Sequence, residues 1–256
     1  MKFIEKCIVK QNKKIVENIY MMELESSNIV TKSKPGQFIQ IKVNAQNDPL
    51  LRRPISINEI KEDNRIVIYY KVVGKGTDIL SKIREEDTIS LVGPLGNGFD
   101  TNINNLNVAV IGGGIGIAPL YELTKDISKN NTVEAFLGFY NYTYLTDKFN
   151  KYSKEVYVST VTGAEGYKGL VTDLFEKRLN KQKFDLIFAC GPKTMLKKIS
   201  DIAKKSNIKC QVSLEERMAC GFGACLGCSI EMTDGSIKKV CTDGPVFWSD
   251  EVKFDE

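Results

Sequence analysis

Histidine is absent from this chain. The side chain most often used as a general base near neutral pH, and the commonest metal-binding imidazole, is therefore unavailable. Mixed Cys/His zinc sites are excluded with it. Tryptophan occurs once, and no uninterrupted apolar run approaches a membrane span. The most apolar region, Val108–Leu120, is broken by four glycines and a proline. An excess of one charge is missing too. Thirty-six basic residues face 32 acidic ones, and the net +4 is dispersed with no aromatic-interleaved basic run. Nucleic acid is not indicated as a partner. The opening MKFIEKCIVKQNKK lacks the apolar segment of a signal peptide. A cytoplasmic protein is expected, with no membrane association and with its thiols reduced.

Against these absences stand seven cysteines, four of them in one pattern. Cys220, Cys225, Cys228 and Cys241 are spaced C-x4-C-x2-C-x12-C, with Gly221, Gly223 and Gly227 between the first three. Four thiolates converging on a small inorganic core need a backbone that bends sharply and brings N–H groups close to sulfur. Glycine permits both. The spacing is the plant-type pattern for a [2Fe–2S] cluster. A four-thiolate zinc site is the competing reading, although zinc more often shows two C-x2-C pairs. Cys7 and Cys210 lie in alternating apolar stretches and read as small core or strand residues.

At 256 residues the length suggests about two domains. Residues 1–100 read as short strands at Phe3–Lys10, Ile15–Glu25, Gln37–Val43, Pro54–Ile60, Arg65–Val73 and Thr88–Val92. Lys34-Pro35-Gly36 and Glu62-Asp63-Asn64 are turn signals. Six such strands predict a closed or nearly closed antiparallel barrel. A short helix fits Thr77–Ile83. Arg52-Arg53-Pro54-Ile55-Ser56 places forked donors beside a hydroxyl, a set suited to a diphosphate and a flavin edge, or to a solvated surface. Tyr69-Tyr70-Lys71-Val72-Val73-Gly74-Lys75-Gly76-Thr77 runs from a strand through a glycine turn into a helix start. Such a turn can hold phosphate or simply connect two elements.

From Leu106 the pattern changes. Val108–Ile111 is a continuous apolar strand of the kind buried on both faces of a parallel sheet. It enters Gly112-Gly113-Gly114-Ile115-Gly116-Ile117-Ala118-Pro119 and then a helix reaching about Lys129. Further strands fit Val133–Phe139, Val156–Ser159 and Leu186–Ala189, with helices at Leu170–Leu179 and Lys193–Ser206. The alternation predicts a doubly wound α/β unit with right-handed crossovers. Its glycine turn lies where such sheets bind ligands, although Pro119 departs from a G-x-G-x-x-G fingerprint. Cys190-Gly191-Pro192 ends a second strand at the same sheet edge. Cys190 reads either as a nicotinamide neighbour or as a buried strand-end cysteine.

Taken together, RPIS (Arg53–Ser56), YYKVVGKGT (Tyr69–Thr77), GGGIGIAP (Gly112–Pro119) and CGP (Cys190–Pro192) resemble the ferredoxin–NAD(P)+ reductase superfamily along essentially the whole chain. EERMACGFGACLGCSIE followed by VCTDGPVF is similar to the electron-transfer subunits of NAD-dependent (type B) dihydroorotate dehydrogenases. The resemblance implies an α+β multidomain chain: an FAD-binding barrel at 1–100, an NAD-binding α/β domain at 101–212 and a [2Fe–2S] domain at 213–256. It implies FAD held by Arg53, Pro54, Ile55, Ser56, Tyr69, Tyr70, Lys71, Val72, Gly76 and Thr77. NAD would be received by Gly112, Gly113, Gly114, Gly116, Cys190, Gly191 and Pro192, and the cluster by the four patterned cysteines. Electrons from dihydroorotate would leave the FMN of a catalytic partner and pass by cluster and FAD to NAD+, in pyrimidine biosynthesis. FAD is the converter between one- and two-electron chemistry. A heterotetramer with two of each chain is implied.

The missing histidine agrees with a subunit that moves electrons and leaves proton abstraction from carbon to another chain, and no catalytic residue is expected here. Rival readings are the flavin/iron–sulfur subunit of a sulfide dehydrogenase, that of an NADH-dependent ferredoxin:NADP+ oxidoreductase, and a non-catalytic cluster protein. A full set of four cysteines, with no carboxylate replacing one, favours the dihydroorotate reading. No Arg or Lys follows the strand Val133–Phe139 before Lys148, so NAD is expected over NADP unless Lys148 or another lysine reaches the site. Met218, Phe222, Leu226, Phe247 and Trp248 are expected at the partner interface, the alternative being that Phe247 and Trp248 pack internally.

Overall fold

The computed structural model describes residues 2–44, 46 and 48–254. Its first unit is a closed barrel of β1 (Phe3–Val16), β2 (Ile19–Glu25), β3 (Phe38–Lys42), β4 (Arg53–Ile60), β5 (Arg65–Lys71) and β6 (Thr88–Leu95), in the order β1-β2-β5-β4-β3-β6. All six pair antiparallel. Two short helices, α1 (Ser27–Lys32) and α2 (Lys75–Ser81), lie in its connections. The expected strand Ile15–Glu25 is divided. Ile15 and Val16 finish β1, and the chain reverses at Asn18, whose φ of 59° is one that Asn tolerates. Val9, Ile39, Ile41, Ile57, Ile68 and Tyr70 fill the barrel.

The second unit is a seven-stranded sheet. β7 (Asn107–Gly113), β8 (Thr132–Phe139), β9 (Glu155–Thr160), β10 (Tyr167–Lys168), β11 (Leu186–Cys190) and β12 (Lys209–Ser213) are parallel. The hairpin β13 (Ser229–Glu231) and β14 (Ile237–Lys239) follows, and then β15 (Val246–Trp248) returns antiparallel against β12. The sheet order is β10-β9-β8-β7-β11-β12-β15. A 3-10 turn (Gly114–Ile117), α3 (Leu120–Ile127) and α4 (Thr146–Asn150) cover one face. α5 (Val171–Leu179) and α6 (Lys193–Lys205) cover the other, so the sheet is doubly wound. The cysteine-rich segment is not free-standing, because β15 is an edge strand of the nucleotide sheet. α4, β10 and β15 are too short for a periodicity argument, which is why they do not stand out in the sequence. Among the described residues no helix is long and apolar enough to cross a membrane.

The units share cores. Ile19, Met21, Val67 and Tyr69 on the outer barrel wall pack with Ile117, Leu120 and Phe139. Phe38 and Leu95 pack instead with Cys228, Val240, Cys241 and Phe247. Polar ties add direction to these apolar contacts. The buried Asn58 amide donates to the Ala118 carbonyl at 2.8 Å, and the Ile60 N–H donates to Glu122 at 2.8 Å.

One ion pair holds the sheet to its covering helix. Arg178 of α5 grips Glu134 of β8 with two bonds of 2.8 and 2.7 Å, and the Glu134 side chain is only 3% exposed. Arg178→Ala leaves that carboxylate buried and unpaired. Denaturant unfolding is expected to show a loss of roughly 3 kcal/mol, whereas Glu134→Leu, which frees Arg178 to water, costs clearly less.

Candidate functional site

The cysteine loop departs from regular structure between β12 and β13. Gly221 and Gly223 take φ of 76° and 93°, and Leu226 sits at 59°. These left-handed bends keep the loop tight. Its base is fixed by N–H groups and lysine: Val240 N–H donates to the Cys228 carbonyl at 3.0 Å, and Lys239 Nζ donates to the Gly223 carbonyl at 2.9 Å. The segment after Cys241 is tied to the barrel. The Asn97 amide donates to the carbonyls of Thr242 and Asp243 at 3.1 and 3.0 Å.

All four thiols are free; Cys225 lies near enough to Cys220, and Cys228 and Cys220 near enough to Cys241, to act on their ionisation. Among the described residues no three Cys, Asp or Glu groups converge on the position of a single ion. The C-x4-C-x2-C spacing with a fourth, later cysteine suits a two-iron core, which takes two thiolates per iron. Burial works to raise the Cys220 thiol, but the N–H groups of Phe222, Cys225 and Ala224 and the Cys225 thiol outweigh it and bring it down to about 6. Burial, with Cys228 beside it, pushes the inner Cys241 up to about 11. Iron takes thiolates, so filling this site releases a proton from each thiol that still holds one. Cys225 is exposed at the tip, and Cys228 and Cys241 are buried.

The residues expected to hold flavin lie along β4 and in the turn before α2. The two arginines of the pair diverge. Arg52 turns inward and is spent on structure, donating to the Ser90 carbonyl at 2.8 Å and its hydroxyl at 3.0 Å. Arg53 lies over Gly76, where any Cβ would fall 2.1 Å from its Nε. Arg53 is therefore the arginine beside the glycine turn. Thr77 holds that turn, accepting from the N–H groups of Val73 and Gly74 at 3.0 and 3.2 Å. Pro54 and Ser56 are half-buried opposite Gln40 and Phe38 in the sheet register. Ile55 packs into the barrel. The tyrosines also diverge: Tyr69 faces the α/β unit, while Tyr70 points into the barrel and donates to Asn12 at 2.9 Å. Lys71 is exposed and Val72 is half-buried at the end of β5. The groups along these elements, a guanidinium, a glycine turn and a serine beside an aromatic wall, fit a flavin dinucleotide.

At the sheet edge Cys190 and Gly112 are register partners at the carboxyl ends of β11 and β7. The glycines of the turn divide their work. A Cβ on Gly116 would fall 2.6 Å from the Cys190 carbonyl and the Gly191 nitrogen, so the GGGIG and CGP turns touch backbone to backbone. Gly112 and Gly113 are buried, against Ile117 and against Met195 and Pro192. Gly114, at φ 55°, opens onto free space and is the one glycine of this turn that is not buried. Burial pushes the Cys190 thiol up to about 12, so it stays neutral at this edge. The sequence reading missed Tyr144. Its hydroxyl donates to the Gly114 carbonyl at 2.8 Å while its ring stacks on Tyr69 at 6.2 Å, joining the two grooves. Neither spacing nor periodicity marks it. Lys148 is held away, paired to Glu59 at 2.6 Å and placed over the Tyr121 ring.

The family model "Iron-sulfur cluster binding domain of dihydroorotate dehydrogenase B" matches residues 215–253, and "Oxidoreductase FAD-binding domain" matches residues 6–99. The dihydroorotate dehydrogenase B (NAD(+)) electron transfer subunit of Caldanaerobacter subterraneus subsp. tengcongensis is 42% identical, over 99% of this chain and 100% of that one. This chain belongs to that family. The family member from Clostridium perfringens is 41% identical over 96% of both chains. Among solved structures, one of an NADH-dependent reduced ferredoxin-NADP oxidoreductase is 34% identical, covers 97% of this chain and 90% of its own, and superposes with a TM-score of 0.88. A ferredoxin NADP+ reductase from Neisseria gonorrhoeae is 16% identical with a TM-score of 0.68, over 79% of this chain and 91% of its own, a likeness of fold. The family's FAD and iron–sulfur domains thus coincide with the barrel and with the segment that carries Cys220, Cys225, Cys228 and Cys241.

Replacing Cys225 by Ser exchanges a soft ligand for a hard hydroxyl, which is poor at iron. Anaerobically prepared C225S is expected to lose or degrade its visible cluster spectrum while retaining FAD, whose groove lies in the barrel. An unaltered cluster spectrum would refute the ligand assignment.

Proposed function

We propose that this chain works as the electron-delivering half of an NAD-dependent dihydroorotate dehydrogenase, accepting electrons from a catalytic FMN subunit in a two-plus-two assembly and passing them to NAD+. The observation that carries the reading is the near-complete overlap with that family at 42% identity, together with the match of residues 215–253 to its iron–sulfur domain. When bound, the flavin and cluster supply the conversion between single electrons and hydride. The residues of the chain bind and orient. Arg53 and the Gly74–Thr77 turn hold phosphate, Ser56 and Tyr69 border the ring, and Gly114 admits the dinucleotide. Tyr144 keeps the two grooves in register. A second reading, subunit of an NADH-dependent ferredoxin–NADP oxidoreductase, draws on the 34% identical structure. The higher identity of the first family weighs against it.

Electron transfer falls steeply with distance, so the cluster must lie near a partner's flavin. Phe222 and Leu226 support a docking face there, being 56% and 60% exposed on either side of the exposed Cys225. Phe247 and Trp248 have the other role considered above. Phe247 is buried on the sheet, and Trp248 pairs with Gln211 on the edge strand under Lys209. The test is reconstitution with a catalytic dihydroorotate dehydrogenase subunit. Phe222→Ala should keep NADH-dependent reduction of a small artificial acceptor and lose complex stability, by roughly 2 kcal/mol, together with dihydroorotate-dependent NAD+ reduction. Trp248→Ala should instead lower thermal stability. Activity with reduced ferredoxin, and none with dihydroorotate, would favour the second reading.

Nicotinamide preference follows from the sheet edge. With Lys148 held by Glu59, no cation from the β8–α4 connection is offered to a 2′-phosphate. The expected catalytic efficiency is higher with NADH than with NADPH, measured with the same artificial acceptor. The reverse order would place another lysine in the site.

A further inference from the structure

We propose that Gln40, a residue of the flavin barrel, is a positioning residue of the cluster: its side-chain amide hydrogen-bonds the Cys220–Gly221 segment in the loaded protein and raises the cluster's affinity for an electron. The inference rests on the iron–sulfur reading of the four thiols.

The reasoning begins with the alternation of β3. Ile39 and Ile41 point into the barrel, which leaves Phe38 and Gln40 on the outer wall. An outward glutamine on a barrel wall is ordinarily wet. Gln40 is 0% exposed. Phe38, two residues before it, packs in the same core as Cys228 and Cys241. The surface that seals Gln40 is the cysteine loop itself. A Cβ on Gly221 would fall 2.7 Å from Gln40 Nε2 and 2.9 Å from its Cγ, so the Gly221 backbone rests on the amide. Gly221 thus has two reasons to be glycine, its φ of 76° and this contact.

Neither amide atom of Gln40 has a hydrogen-bond partner in the protein. Buried side-chain amides are almost always paired, because stripping one of water without replacement is costly. Methionine or leucine would fill the same space without that cost. The amide lies against Gly221, the residue next to Cys220 in the cysteine loop. Gln40 would add a donor from another unit. Hydrogen bonds to the sulfurs of a cluster stabilise its more negative, reduced state and raise its potential. The same contact makes the cluster's potential depend on how the flavin barrel is seated, since the donor and the flavin groove share β3 and β4.

The test compares Gln40→Met and Gln40→Leu with the wild-type holoprotein by redox titration, following the cluster by its reduced-state EPR signal and FAD by its absorption. The expected result is a more negative cluster potential in both variants. Electron distribution between cluster and flavin should move about tenfold, or 59 mV for a one-electron couple, with the flavin potential unmoved. Loss of the cluster alone, with FAD and the circular dichroism spectrum retained, also supports the proposal. An unchanged cluster potential overturns it, as does a shift of the flavin potential with the cluster still, which would make Gln40 a flavin residue. If leucine prevents folding, the unbranched methionine variant decides. Iron and sulfide analysis of the wild-type protein tests the cluster reading separately, so the two can fail independently.

Discussion

A loop of nine residues carrying three thiols cannot hold its own shape, and its dependence on borrowed walls governs this structure. From Cys220 to Cys228 the chain makes no strand or helix. Its inner side rests on Phe38 and Gln40 of the barrel, and its fourth thiol comes from the far end of a hairpin. Asn97 of the barrel fastens the segment after Cys241, and β15 fastens the same segment to the nucleotide sheet. Because one segment is clamped by both larger units, the cluster site cannot be moved relative to either groove without breaking buried contacts.

The join between barrel and sheet obeys the same logic. Its strength is apolar, from Met21, Val67 and Tyr69 against Ile117 and Leu120. Apolar burial has no direction, so alignment falls to a few polar bonds. Asn58 to Ala118, Ile60 to Glu122 and Lys148 to Glu59 all run from β4 to the first helices of the α/β unit. β4 therefore carries flavin-groove residues at its start and the inter-unit fastening at its end. The flavin groove is oriented by the strand that fixes the domain angle.

Close backbone approach is the third constraint. The GGGIG and CGP turns meet so tightly that a methyl group on Gly116 would overlap the Cys190 carbonyl. The Arg53 side chain lies over Gly76, a contact made by a movable guanidinium and not by backbone. Gly116 thus packs the two turns together, beside the open position of Gly114.

Local chemistry settled much of this protein from its residues alone. The four-cysteine spacing, the alternation in the barrel strands and the apolar run before a glycine turn each depend on neighbours within a few positions, so the two large units and the thiol set were legible. The tertiary structure decided what depends on distant residues. Which arginine of a pair turns outward, that Tyr70 faces inward while Tyr69 faces the nucleotide unit, and that Phe247 and Trp248 form an edge strand are matters of register and packing. Tyr144 and Gln40 carry no motif at all. Their roles arise because the fold sets a phenol between two grooves and buries an amide under a loop 180 residues away in sequence. A chain encodes such encounters only through its whole core, since long-range contacts are fixed by the sum of many weak apolar interactions and not by any one stretch.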